Sequence, residues 1–223
     1  MIAIETLQPE NRVLTSILQT LAEEGYVTVT GDDDEMSETT LHFALINYFF
    51  NALKLFLVNR NDCFIASNLR ISYDEKRPLK WYAPDILVAF GVENRERASY
   101  NLATEKIMPQ VIFEIASEQT ADKDVGEKYL VYSKLGVEEY YLLDPERSLL
   151  PNQMTAYHRQ NGVLLPLSFV DQRVFSPHLG LEIVDTGDDF RLFNPATKEF
   201  LRSPDELAAR IAELEALLKQ NQK

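Results

Sequence analysis

Two acids stand where an unpaired charge is hard to keep. Asp85 follows Pro84 and opens the apolar run DILVAFG. Glu114 lies inside a second run, Val111–Ala116 (VIFEIA), which follows Pro109. A carboxylate in the middle of an apolar strand is costly to bury alone. A divalent cation removes that penalty and takes oxygen ligands. If the two runs are neighbouring strands, Asp85 and Glu114 converge on one ion, and the Ile115 carbonyl is a further ligand. Such an ion polarises a phosphodiester and activates a water.

Other residues extend the set. Asp124, Lys128 and Tyr132 are four apart and share one helix face. Packed on the sheet, that face brings Lys128 toward the carboxylates, where an ammonium orients the water or stabilises the charged transition state. Glu38 and His42 are also four apart, on a face that continues through Leu45 and Phe49, so Glu38 is a candidate extra ligand or base. Each residue has a structural alternative: a turn leading into the strand for Asp85, a buried ion pair for Glu114 with Lys128, and first-turn charge for Glu38. His42 reads as a satisfied helix histidine. Arg95, Arg97 and Lys106, in the polar segment between the two runs, are either surface charge or phosphate contacts.

The elements that must position these residues follow from patterning. Helical spacing predicts a helix over 9–24, stopped by Gly25. Asp32–Glu35 reads as a solvated loop. Ser37 opens a long helix reaching Val58, and its apolar stretch from Phe43 to Val58 is broken by the one stripe Asn47, Asn51, Lys54, as for a buried helix. Strands are expected at 64–72, 85–91, 110–116 and 139–143, the continuous apolar runs implying cover on both faces. Between the second and third, 92–108 reads as a loop or hairpin extension. Asp124 caps a helix that ends at Leu135 before Gly136. Strands at 155–158, 163–169 and 181–184 read as a meander at the sheet edge. This order predicts an α/β fold with a central mixed sheet flanked by helices.

The C-terminal segment differs. Ser203–Glu206 is a capping box with proline in the first turn. Leu207, Ile211, Leu214 and Leu218 then alternate at spacings of four and three, a coiled-coil seam of two heptads. It reads either as a helix docked on the body or as a dimer contact.

Composition sets limits. The net charge of −13 opposes tight, unaided binding to nucleic acid, which a basic face normally provides. Cys63 is the single cysteine, so neither an intrachain disulfide nor a cysteine zinc site is available. MIAIETLQPE lacks a basic region followed by an apolar run, and no apolar stretch reaches a membrane span. A cytoplasmic protein is expected.

The string from Pro109 through Glu114 and Ser117, then Thr120, Asp124, Lys128, Tyr132, Gly136-Val137, Glu139-Tyr140-Tyr141 and Asp144-Pro145, with Pro84-Asp85 upstream, resembles the Uma-type putative restriction endonuclease family of the PD-(D/E)XK nuclease superfamily. The likeness covers residues 37–185 and implies a restriction-endonuclease-like core, Mg²⁺ or Mn²⁺ dependence and phosphodiester hydrolysis. The superfamily's lysine two residues after the glutamate is Ala116 here; the family supplies a lysine from the next helix, which maps onto Lys128. Tyr141 stands where the family often has tryptophan. The domain expectation is an N-terminal helical extension (1–36), a nuclease domain (37–185), and a tail with a coiled-coil-like helix (186–223). Functionally the expectation is a Mg²⁺-dependent DNA endonuclease, able to form a homodimer through its core or terminal helix. The alternative is a catalytically silent protein of the same fold that binds nucleic acid or another protein.

Overall fold

Thr39 starts the first helix by accepting the His42 amide on its hydroxyl (3.3 Å), so α1 spans Thr40–Phe56 and opens later than Ser37. The computed structural model describes residues 39–73 and 81–221. The expected helix over 9–24, the loop at 32–35, Ser37 and Glu38 lie outside the described residues. Helix α1 is less enclosed than its single polar stripe suggests: Leu41, Phe43 and Leu55 are exposed alongside Asn47 and Lys54.

Strands β1 (Cys63–Ser67), β2 (Ile71–Ser72), β3 (Trp81–Tyr82), β4 (Ile86–Phe90) and β5 (Tyr100–Asn101) come next, then the short α2 (Leu102–Glu105) and β6 (Val111–Ile115). A crossover follows, built from α3 (Ala121–Lys123), a π-helical turn (Asp124–Lys128) and α4 (Tyr129–Leu135). It starts before Asp124, which therefore lies inside the helical segment and does not cap it. Gly136, at φ 99°, ends it in the left-handed conformation that glycine adopts without strain.

Strand β7 (Glu139–Leu143) pairs parallel with β6, as a helical crossover requires. β8 (Met154–Gln160) and β9 (Val163–Pro166) complete a six-stranded mixed sheet in the order β1-β4-β6-β7-β8-β9. The expected edge meander holds for these two strands. It fails for 181–184: β10 (Arg173–Ser176), β11 (Leu181–Asp185), β12 (Phe190–Asn194) and β13 (Glu199–Phe200) form a separate antiparallel sheet. Phe190 and Leu192 face inward and Arg191 does not, a period-two signal that marks β12 as a strand. Strands β3-β2-β5 form a third, small sheet that organises the 92–108 segment.

The central strands β6 and β7 are buried on both faces. One face, with Val111, Phe113, Ile115, Tyr141 and Leu143, packs on α1 and on Leu181, Ile183, Phe190 and Leu192 of the second sheet. The other face, with Ile112 and Tyr140, packs on Tyr129 and Tyr132 of α4. Two polar clasps hold the second sheet in place. Tyr48 of α1 donates its hydroxyl to the Leu201 carbonyl (2.9 Å) and accepts the buried Leu192 amide (3.1 Å). Glu139, buried at the start of β7, accepts from the Tyr141 and Ser176 hydroxyls and from the His178 amide and ring.

The first turn of the terminal helix α5 (Pro204–Asn221) is held to the body, where Arg191 pairs with Glu206 (2.9 Å). From Ala208 to Gln220 its residues are exposed, so among the described residues nothing covers its apolar seam. Among the described residues no helix is long and apolar enough to cross a membrane.

Tyr48→Phe leaves the Leu192 amide buried without its acceptor. A loss of about 1–3 kcal/mol is expected in urea unfolding monitored by far-ultraviolet circular dichroism.

Candidate active site

Antiparallel pairing of β4 with β6 sets Ile86 opposite Phe113. Continued by one residue, the register puts Asp85 beside Glu114, as the apolar runs predicted. Asp85 precedes the ladder because Pro84 cannot donate to it; instead the Pro84 and Asp85 carbonyls both accept the Asn68 amide (3.2 and 3.3 Å). The Asp85 side chain then takes the backbone's part, accepting the Ile115 amide on Oδ2 (2.6 Å).

Helix α1 closes this end of the sheet. His42 is buried, with Nε2 3.0 Å from the Ile115 carbonyl and 3.6 Å from Asp85 Oδ2. A carbonyl only accepts, so Nε2 carries the proton. Its Nε2 is engaged with the strand, and the histidine sits within the candidate site. Glu38 lies outside the described residues.

The other side comes from the crossover. Lys128 reaches Glu114 Oε2 at 3.0 Å and Asp124 Oδ1 at 2.8 Å. Tyr132 donates its hydroxyl to Glu114 Oε1 (2.7 Å). Asp124 and Lys128 bound the π-helical turn, and Tyr140 of β7 donates its hydroxyl to the Asp124 carbonyl (2.9 Å), pinning that turn to the sheet. Widened turns of this kind recur at functional sites. Asp124 and Tyr132 are thus members of the cluster that sequence reasoning placed on the right helix face without giving them a part. An acid four residues before a lysine on a sheet-facing helix was the available signal.

The charges do not balance. Glu114, Asp124 and Lys128 are all buried, and Asp85 is mostly so. Among the described residues, three carboxylates face one ammonium. Burial pushes the Glu114 carboxyl well above its ordinary value; Lys128 opposes that shift, and Asp124 and Asp85 reinforce it. Asp124 is likewise raised, chiefly by burial. Burial alone would lower Lys128, but the charges of Glu114, Asp124 and Asp85 outweigh it and hold the amine above its ordinary value. Lys128 is therefore a fixed cation and not a general base.

A divalent cation fits this donor set in charge and in chemistry: it would neutralise the two surplus negative charges, and hard cations take carboxylate and carbonyl oxygens. Among the described residues no group of three His, Cys, Asp or Glu side chains is arranged to hold a metal. That is compatible with magnesium, which is commonly held by one or two carboxylates and keeps several waters. Asp85, Glu114 and the Ile115 carbonyl are the donors such an ion would use.

Of the three cations in the 92–108 segment, Arg97 is corrected by its surroundings. Its guanidinium is covered, lies over the Phe64 ring (4.2 Å) and is bound to Glu105 (2.9 Å), which leaves it no face for a phosphate. Arg95 shares Glu105 (2.8 Å) but is exposed, as is Lys106. Asp144, in the Asp-Pro step after β7, accepts the Arg147, Leu149 and Leu150 amides and shapes the following loop.

Residues 20–186 match the family model described as "Uma2: Putative restriction endonuclease". The match starts before residue 37, where the likeness read from the motifs began. A solved structure described as "a putative nuclease belonging to DUF820 from Anabaena variabilis ATCC 29413" is 18% identical, with a TM-score of 0.47, covering 64% of this chain and 75% of that one. No curated protein matches the sequence.

Acids whose values are raised on folding stabilise the protein fully below their ordinary values, 4.5 for Glu114 and 3.8 for Asp124, and that contribution is lost as pH rises through the folded ones. In metal-free buffer, wild-type stability should fall relative to Glu114→Gln as pH rises above the ordinary carboxyl value of 4.5, read by thermal unfolding. Lys128→Met removes the cluster's ammonium. It should cost about 3–5 kcal/mol near neutral pH, and less as pH falls and the acids take up protons.

Proposed function

We propose, from the premise that the chain belongs to the Uma2 family of putative restriction endonucleases, that the acid cluster is the divalent-metal site of an endonuclease acting on DNA. The carrying observation is the charge imbalance. Glu114, Asp124 and Asp85 share the one ammonium of Lys128 at the end of two apolar strands. Burial of surplus negative charge lowers stability and calls for a positive ligand.

In this reading Asp85 and Glu114 are the carboxylate ligands, and the Ile115 carbonyl is a third oxygen donor. Bound there, Mg²⁺ or Mn²⁺ polarises the phosphodiester and lowers the pKa of a coordinated water. Lys128 keeps its proton and directs positive charge at the phosphoryl oxygens as they gain negative charge. Asp124 is a positioning residue that holds the Lys128 ammonium from below. Tyr132 fixes the orientation of the Glu114 carboxylate, and His42 fixes the Ile115 carbonyl. Glu38, one helical turn before His42 in sequence, is proposed as a further acid. Arg95 and Lys106 remain candidates for phosphate contact. With a net charge of −13, affinity for duplex DNA is expected to be weak and to fall steeply with salt.

One observation favours the silent alternative. Both Glu114 oxygens are already hydrogen-bonded, and the side chain is 1% exposed. Metal binding separates the two readings. Calorimetric titration should show Mg²⁺ or Mn²⁺ binding that Glu114→Ala abolishes; absence of binding to wild type would establish the silent reading.

Cleavage of supercoiled plasmid with Mg²⁺ or Mn²⁺ tests the chemistry. Asp85→Asn should reduce nicking by about 10²-fold or more. Equal activity in both proteins removes Asp85 from the site.

A further inference from the structure

We infer that α5 pairs in parallel, in register, with α5 of a second copy of this chain. Every residue from Ala208 to Gln220 is exposed. A free helix of that length is marginal in water, and this one leaves an apolar face uncovered. Ile211 and Leu218 are 57% and 61% exposed, with Leu214 and Leu217 exposed beside them.

The seam selects the occupant. Leu207 and Leu214 fall at heptad position d, and Ile211 and Leu218 at position a. In the first heptad β-branched Ile211 at a stands with Leu at d, the combination that favours two strands. The flanks select the direction. Arg210 falls at g and Glu215 at e, and in a parallel pair each g residue faces the e residue five positions on in the other helix. Arg210 therefore faces Glu215 of the partner subunit, and the two-fold axis makes the same pair on the other flank. An antiparallel pair apposes g with g and e with e. In the register that keeps all four seam residues together, Arg210 then meets Leu217 of the partner subunit and Glu215 meets Ala208 of the partner subunit. No opposite charges meet that way.

Arg210 reaches Glu213 within its own helix, an exposed pair that contributes little and exchanges readily. A membrane surface fits less well. Asp205, Glu206, Glu213 and Glu215 outnumber Arg210 and Lys219 on this helix, and anionic lipid repels that balance. The inference is independent of the metal-site reading.

Sedimentation of the full chain tests it. Wild type should be dimeric at about 100 µM and dissociate toward about 1 µM. Ile211→Glu with Leu214→Glu should be monomeric throughout, with the wild-type melting temperature at about 1 µM, where wild type is dissociated too. Arg210→Glu or Glu215→Arg alone should weaken the dimer about tenfold by setting like charges together, and the combined exchange should restore it to within about threefold of wild type. A wild-type monomer at the higher concentration, or a dimer that survives both glutamates, overturns the pairing. A combined exchange that fails to restore affinity overturns the parallel arrangement.

Discussion

One ammonium serves three acids. Lys128 lies between Glu114 of β6 and Asp124 of its own helical turn, with Asp85 close enough to add to the field. In a low-dielectric interior an uncompensated charge would destabilise the fold, so every element around it is placed to deliver a partner. The π-helical turn puts Lys128 and Asp124 on one face. The Tyr140 hydroxyl holds that turn to the sheet. Pro84 ends the β4 ladder where the Asp85 carboxylate can take the Ile115 amide.

The fold can carry this arrangement because the strands beneath it are covered on both sides. Phe113 packs on Phe49 and Tyr141 on the α1 face. On the other face, Tyr132 and Tyr140 present rings to the core and hydroxyls to the acid cluster. Tyrosine suits that boundary because one end is apolar and the other hydrogen-bonds. His42 then joins α1 to both strands through the Ile115 carbonyl and the neighbourhood of Asp85.

Surface electrostatics follow a different logic. The chain is acidic overall, and part of its positive charge serves internal structure. Arg97 is committed to Glu105 and Phe64, Arg147 to Asp185, and Arg191 to Glu206 and the Tyr48 ring. Within the 92–108 segment, the cations left exposed are Arg95 and Lys106.

Local pattern made much of this protein legible. The apolar runs at 85–91 and 110–116 named the two strands and the acids set against them, and the four-residue spacing of Asp124, Lys128 and Tyr132 named their shared face. The capping box and heptad seam marked α5. These are properties of period and neighbour, which sequence carries directly. Sequence could not say that Tyr132 and Lys128 would divide the two oxygens of Glu114, that His42 would hold the Ile115 carbonyl, or that Arg97 would be spent on a carboxylate and a ring. Nor did it separate 181–184 from the edge of the central sheet. Those facts depend on strand register and on which surfaces face one another across long chain separations. They are settled when the whole core packs, because only then does a buried charge find which partners lie within a few ångströms.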